Sequence, residues 1–416
     1  MSSSHPPRSL IDRTGAASRA AWRTLLALGT LLHLVACGDV GERRAHLTVG
    51  TYWGGAANQT LHRELIRIAQ DLGSVDIDVR HFSYAGLDDY LSKNQPREAQ
   101  DTVDLAVVPS DWLGQLAQRE IIGEVPSARV EAMRRKLVGQ SLLAVSDGGQ
   151  VLAFPLSADV DALVYDPGVF PSSPRTIDDV LSASLPPSVI PFALNLADPA
   201  QLAPFVSALQ GSLVDRDDNL LWRDHDVVEA LHRLRPAWGS PERWAACHGV
   251  DLESLQLQLF AEGKLASFVA GPWLLQALED TDRPFRVIPI PKPAGAPFPA
   301  RSLVEYQCLV VARETHWGDL ALEVASRLLD QSANQRITRA TRRLPVLMGA
   351  YEAQPAATSA GTFGFLHTLE EGQVLPPTAR WSEGFARARD RLARLTHLSQ
   401  PPAPDELVRL VGEEQP

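Results

Sequence analysis

The sequence predicts an α/β protein with more than one domain. Three observations carry this. Strand-like and helix-like segments alternate through residues 45–157, the rhythm of βαβ units and a mostly parallel sheet. Leu265–Ala270 is an apolar run of strand length set between two helix-like segments. The chain has 416 residues, too many for one hydrophobic core.

In order along the chain, the predicted strands of the first unit are His46–Gly50, Val75–Phe82, Asp104–Pro109 and Val151–Phe154. Thr60–Leu72 and Leu87–Ser92 are predicted helices between them. Residues 158–288 read as a second α/β unit, rich in helix and punctuated by proline. Val287–Pro291 leads back to the first, held extended by Pro289 and Pro291. Residues 289–346 then complete the first unit with a strand at Cys308–Ala312 and a helix at Leu320–Leu329. Helices in 347–416 are expected to pack on the second unit.

The most informative stretch runs from Glu262 to Trp273. Leu255–Glu262 reads as helix, and Gly263 can end it in a left-handed cap. After Leu265–Ala270, Gly271-Pro272 forces a turn and Leu274–Leu278 restarts as helix. Trp273 therefore falls at a strand-to-helix corner, at the carboxyl end of what reads as a parallel strand. Ligands bind at that edge in open α/β sheets, although a Trp plugging a corner of the core fits the same pattern.

The N-terminus fixes the compartment. Arg8, Arg13, Arg19 and Arg23 form a basic leader, followed by the apolar run Leu25–Val35. That run has the length of a signal-peptide core and falls short of the ~20 residues a spanning helix needs. It ends in Leu34-Val-Ala-Cys37-Gly38, which resembles a bacterial lipobox. Residues 1–36 are then a signal peptide, Cys37 a lipidated first residue, and 37–44 a polar tether. An uncleaved single-span anchor with an incidental Cys is the alternative. Both place the bulk of the chain outside the cytoplasm.

Several segments together resemble the extracellular solute-binding proteins of sugar ABC importers, the maltose/maltodextrin-binding family in particular. They are Phe260-x-x-Gly263-Lys264-x-Ala266 with Gly271-Pro272-Trp273, and Leu47-Thr-Val-Gly-Thr-Tyr-Trp-Gly-Gly55 as the first strand and loop. Asp104–Ala117 resembles the second ligand loop, Asp147–Ser157 with Val164-Tyr-Asp-Pro167 the first crossover between lobes, Pro174–Val180 the Pro-x-Thr segment, and Arg343-Leu-Pro-Val346 the late crossover. The resemblance implies a two-lobed periplasmic-binding-protein-like fold, each lobe a mostly parallel sheet flanked by helices, with the ligand cleft between lobes. Two departures stand out. Leu303-Val-Glu-Tyr306 replaces small residues, and Tyr165-Asp-Pro167 replaces Tyr-Asn-Lys.

The resemblance also implies site residues. Trp273 matches the family's stacking Trp, and Asp111 the acidic residue of the second loop. Trp53 and Trp112 flank those loops, and Asp198 lies in an acidic-Pro segment. Glu305 stands at the departure just named, and Trp381 and Phe385 at the start of a late helix. Aromatic faces for the C–H side of a pyranose and oxygens for its hydroxyls are what a neutral sugar needs. The implied partners are a small-molecule ligand, expected to be a carbohydrate, and the permease and ATPase subunits of an ABC transporter; a non-sugar solute, or a ligand-sensing subunit without transport, is the alternative. A membrane is reached through the lipid anchor, and the chain is expected to be monomeric.

Other readings are excluded or set aside. The net charge is −11, and the leader is basic, so the rest is more acidic still. This disfavours nucleic acid and anionic lipid as partners. No Walker A or Gly-x-Ser-x-Gly sequence is present, and no enzymatic activity or cofactor is expected. No metal is expected either: Asp215-x-Asp217-x-Asn219 starts like a calcium loop, but Leu220 stands where glycine is required, so a turn is the better reading. Cys247 and Cys308 are expected to be buried free thiols, because the family likeness puts them in different lobes. Arg339, Arg342 and Arg343 read as a solvated helix end, with a transporter-docking patch as the alternative.

Overall fold

The structure is a computed structural model that describes residues 44–93, 102–249, 251–352 and 359–411. Cys37 and its lipobox lie outside the described residues.

Two sheets organise the chain. Strands β1 (Ala45–Thr51), β2 (Val75–His81), β3 (Leu105–Pro109), β6 (Phe154–Val160), β10 (Leu303–Val311) and β11 (Gln373–Val374) form the larger, in the order β11-β10-β3-β1-β2 with β6 also on β10. β4 (Ser146–Asp147) and β5 (Gln150–Val151) make a short hairpin. β7 (Ala162–Tyr165), β8 (Ser267–Ala270) and β9 (Arg286–Ile288) form the smaller sheet, in the order β8-β7-β9. Lobe one is built on the larger sheet and lobe two on the smaller. Their cores are apolar: Leu47, Leu105, Val107 and Leu309 are fully buried in one, and Leu163, Val164 and Phe268 in the other.

The sheets are more mixed in direction than the βαβ rhythm predicts. β1 and β3 are parallel, as are β10 and β11, but β10 runs antiparallel to both β3 and β6. In lobe two β7 is antiparallel to β8 and β9, and only bridges from Ile190 and Ala193 meet the 265–268 stretch in parallel. The reason is the chain path. β6, β9 and β10 lead into or out of crossovers between lobes, and a strand that returns from the other lobe enters the sheet from the opposite end. Trp273 still follows a buried strand end, but β8 has an antiparallel neighbour.

The helices that shape the cleft follow from local signals. α1 (Gly55–Leu72) ends at Gly73, whose φ of 72° suits glycine. α2 (Tyr84–Ser92) is capped by the Ser83 hydroxyl. α3 (Leu113–Gln118) continues a 3-10 turn, Ser110–Trp112, from the end of β3. α4 (Pro199–Gln210) has Asp198 as N-cap and proline at its first position. α5 (Gln331–Thr341) ends at Arg342 in the left-handed region, φ 56°. α6 (Ala360–Glu371), α7 (Ala379–Ala393) and α8 (Pro404–Val411) close the fold.

Residues 347–416 were expected on lobe two alone. α6 does pack on β9 and β7, but β11 pairs with β10 in lobe one and α7 touches both α3 and α4. Cys247 and Cys308 are buried free thiols, one in each lobe. Asp215 accepts from the backbone N–H groups of Asp217 and Asn219 and from the Asn219 amide, which makes the calcium-like segment a self-satisfied turn. No helix among the described residues is long and apolar enough to cross a membrane.

Candidate functional site

A cavity of about 370 Å³ opens between the lobes. β6 brings Asp159 to it, Asp161 follows directly after that strand, and β10 brings Glu305. In each strand these polar residues alternate with apolar neighbours, so one face of the strand supplies the wall and the other the core. Lobe two contributes Asp198 and Trp273, and α7 contributes Phe385 and Arg389.

Trp273 sits in the 3-10 turn Pro272–Leu274 between β8 and a short helix. Its indole N–H donates to Glu253 at 3.0 Å. The ring lies so close to Gly271 that a Cβ there would fall 2.0 Å from a ring carbon. Glycine at 271 is therefore required by close approach: its φ of −96° is open to any residue.

Arg343 is the residue that the helix-end reading misplaced. The left-handed Arg342 turns the chain sharply, and Arg343 enters the cleft instead of solvent. Its side chain is 13% exposed and ion-paired with Asp159, itself 5% exposed at the side chain. The guanidinium lies 5.7 Å from the Trp53 ring centre and 5.6 Å from that of Trp273. It joins the first loop of lobe one to the corner of lobe two through two cation–π contacts.

Gln307 is a second residue the sequence reading passed over. It sits at a register shift between β10 and β6, where bulges commonly re-aim side chains. Its carbonyl oxygen accepts from the Tyr52 hydroxyl and from the Trp53 indole N–H at 3.2 Å. Its amide nitrogen donates to Asp159 at 3.1 Å and to Glu305 at 2.9 Å. One buried amide thus ties the first loop to two wall carboxylates. The signal available in sequence was Glu305-x-Gln307, a polar alternation in an otherwise apolar strand.

Of the eight residues singled out from sequence, Trp273, Asp198, Glu305 and Phe385 line the cavity. The other four stand behind the wall. Trp53 is 3% exposed and holds Gln307 and Arg343 from below. Asp111 is 4% exposed in the turn after β3, with Arg389 3.7 Å from one carboxyl oxygen. Trp112 packs edge-on against Tyr84, 4.9 Å between ring centres. Trp381 is fully buried and stacked on Phe385. It lies one turn before Phe385 on α7, where that helix is pressed against α3.

The electrostatics are those of a crowded acidic site. Burial pushes the Asp111 carboxyl up to about 6, opposed by Arg389. Burial, with Asp111 nearby, holds Glu305 well above the usual carboxylate range. Burial, with Asp198 nearby, does the same for Asp161. Asp198 is also raised by burial, and the Ala200 N–H it caps at 2.9 Å opposes the shift. Oδ1 atoms of Asp111, Asp159 and Asp161 are buried with no hydrogen-bond partner. Among the described residues no three acidic, His or Cys side chains come together as metal ligands would.

The site's order along the chain can be compared with known proteins. Residues 69–363 match the model of the bacterial extracellular solute-binding protein family, well over half of the chain. The chain belongs to that family. A curated relative is the maltotriose-binding protein of Pyrococcus abyssi, 22% identical over 193 residues. That match spans 45% of this chain and 42% of the relative, so less than half of either is aligned. Two solved structures share the fold of this solute-binding protein. The maltotriose binding protein of Thermus thermophilus, bound with maltotriose, has a TM-score of 0.70 at 21% identity, over 88% of this chain and 98% of that one. The maltose-maltodextrin binding protein of Alicyclobacillus acidocaldarius has a TM-score of 0.69 at 18% identity, with the same coverage. Both likenesses establish the two-lobed α/β architecture.

Proposed function

We propose that this solute-binding protein captures a mono- or oligosaccharide between its lobes and delivers it to the permease of an ABC transporter whose ATPase is a separate chain. The observation that carries the reading is the shared wall. The half-buried ring of Trp273 and the edge of the Trp381–Phe385 stack line the same cavity as the oxygen acceptors of Asn195, Asp198 and Glu305. Aromatic planes take the C–H side of a pyranose and the oxygens take its hydroxyls. Trp53, Trp112 and Asp111 support that wall from behind. The related proteins named above carry maltotriose or maltodextrin in their names, in keeping with a sugar. The chain acts as a monomer without catalysis, held outside the cytoplasm by a lipid on Cys37.

The test is calorimetric titration of the mature protein with saccharides, amino acids and oxyanions. Saturable binding of a saccharide, accompanied by a change in Trp fluorescence, is expected. Binding confined to non-sugar solutes would overturn the reading. The anchor is tested separately: Cys37→Ser should abolish labelling by a fatty-acid probe, and equal labelling of both proteins would remove it.

A further inference from the structure

The charges around the cavity do not balance. Asp159, Asp161, Asp198 and Glu305 face it, with Asp111 directly behind. Arg343 is committed to Asp159, and Arg389, which lines the same cavity, lies 3.7 Å from Asp111 and also acts on Asp198 and Glu305 from farther off, two cations against five carboxylates. No cation of the described residues reaches ion-pairing distance of Asp161, Asp198 or Glu305. Asp198 is eased by the N–H of Ala200 and Glu305 by the amide of Gln307. Asp161 has neither, and its Oδ1 is buried and unpartnered. Asp159, 4% exposed, likewise turns an unpartnered Oδ1 into the same wall.

Anions withdrawn from water without a partner are costly, and the fold keeps these at the cavity between its lobes. A neutral sugar donates hydroxyls to such oxygens but leaves the charge uncompensated. A metal ion would need the carboxylates gathered at one point, and among the described residues they are not. They are spread along the wall, next to the half-buried ring of Trp273; Phe385, also in the wall, is already stacked on Trp381 with Arg389 over its ring. That combination suits an organic ammonium, which attracts carboxylates and aromatic faces together.

Resting on the saccharide reading above, we propose that the sugar this cleft takes carries an amine, its ammonium seated on Asp161 with Asp198 and Glu305 around it. Recognition then has two parts. Trp273 takes the ring, and the acidic wall selects the charged substituent. Burial, with Asp198 beside Asp161 and Asp111 beside Glu305, raises both carboxyls in the empty cleft, and an ammonium seated between them favours their charged forms.

The experiment uses matched pairs that differ only by amine for hydroxyl: glucosamine against glucose, and the β-1,4 glucosamine trimer against cellotriose. Calorimetric titration at neutral pH should show the amine member of a pair bound at least about tenfold more tightly, the scale of one close charge pair. Asp161→Asn should bring the ratio near one. Should that variant fail to fold, Glu305→Gln should reduce the same ratio. Neutral sugars bound as tightly as their amine partners would overturn this proposal and leave the saccharide reading standing. Equal ratios in wild type and both variants would also overturn it. If spermidine binds and no saccharide of either kind does, both the proposal and the saccharide reading fail.

Discussion

Adding one methyl group at Gly271 is the sharpest probe of how the cleft is held. A Cβ built there would lie 2.0, 2.1 and 2.4 Å from three carbons of the Trp273 ring. Carbon atoms pack best at about 3.5–4.0 Å, so the indole must retreat by roughly 1.5 Å. It can do so because the ring is only half-buried. The retreat breaks the bond to Glu253, worth about 1 kcal/mol net, and weakens the contact with Arg343, worth about 0.5–1 kcal/mol. Gly271→Ala should therefore lower stability by no more than about 2 kcal/mol. If Trp273 stacks on the ligand, affinity should fall by about 1–3 kcal/mol, which is roughly 5- to 150-fold. Calorimetric titration and urea unfolding of Gly271→Ala, Trp273→Ala and the double variant measure both quantities. Once the ring is gone the methyl has nothing to displace, so the double variant should bind as Trp273→Ala does. Additive losses in affinity, or wild-type binding by Gly271→Ala, would refute the argument. Gly114→Ala provides the contrast. Its Cβ would lie 2.1 Å from the Thr378 carbonyl carbon, backbone that cannot swing aside, so stability should fall by about 1–3 kcal/mol or more.

Three further outcomes are expected. Arg343→Met removes the partner of a buried Asp159 and should cost about 3–5 kcal/mol in urea unfolding, a loss that Arg343→Met with Asp159→Leu largely recovers; additive losses would show that the pair is not the cause. Because the folded Asp111 carboxyl titrates near 6, above its unfolded value of 3.8, the folded state binds the extra proton. Stability of the unliganded protein should rise as pH falls from 7 toward 4, Asp161, Asp198 and Glu305 acting in the same direction, and Asp111→Asn should flatten the trend; a melting temperature that rises with pH over that window would contradict it. Burial pushes the Cys247 thiol up to about 12 and holds the Cys308 thiol well above its usual range, so both should ignore a thiol reagent in the native protein. The unfolded, unreduced protein lacking Cys37 should take up two equivalents, and uptake of none would reveal a disulfide.

Much of the fold was legible because it is written in short periods. The strand Ser267–Ala270, the turn at Gly271-Pro272 and the corner position of Trp273 all follow from neighbouring residues. Asp198 stood out through its acidic-Pro segment, and in the structure it caps α4 and lines the cavity. What escaped depends on contacts distant in sequence or on unusual backbone. Arg343 resembles the last cation of a helix until Arg342 takes a left-handed conformation that periodicity does not reveal. Asp159 and Asp161 sit at the boundary drawn between lobes, where the strand was expected to have ended; β6 in fact runs on to Val160. Gln307 acquires its importance only when β10 lies between β3 and β6 and reaches back to Tyr52 and Trp53. Strand direction escaped for the same reason: crossovers between lobes decide it.

The seat of α7 has a mechanical consequence. On one side Gly114 of α3 lets the start of this helix press backbone to backbone, and on the other Gly384 accepts Leu220 with no side chain between them. Each seat is also fixed by polar contacts: the Ser382 hydroxyl donates to the Asp111 carbonyl on one side, and Arg391 pairs with Asp224 on the other. Phe385 and Arg389 project from this doubly held helix into the cavity. A helix bonded to both lobes ties the shape of the cavity to the place of each.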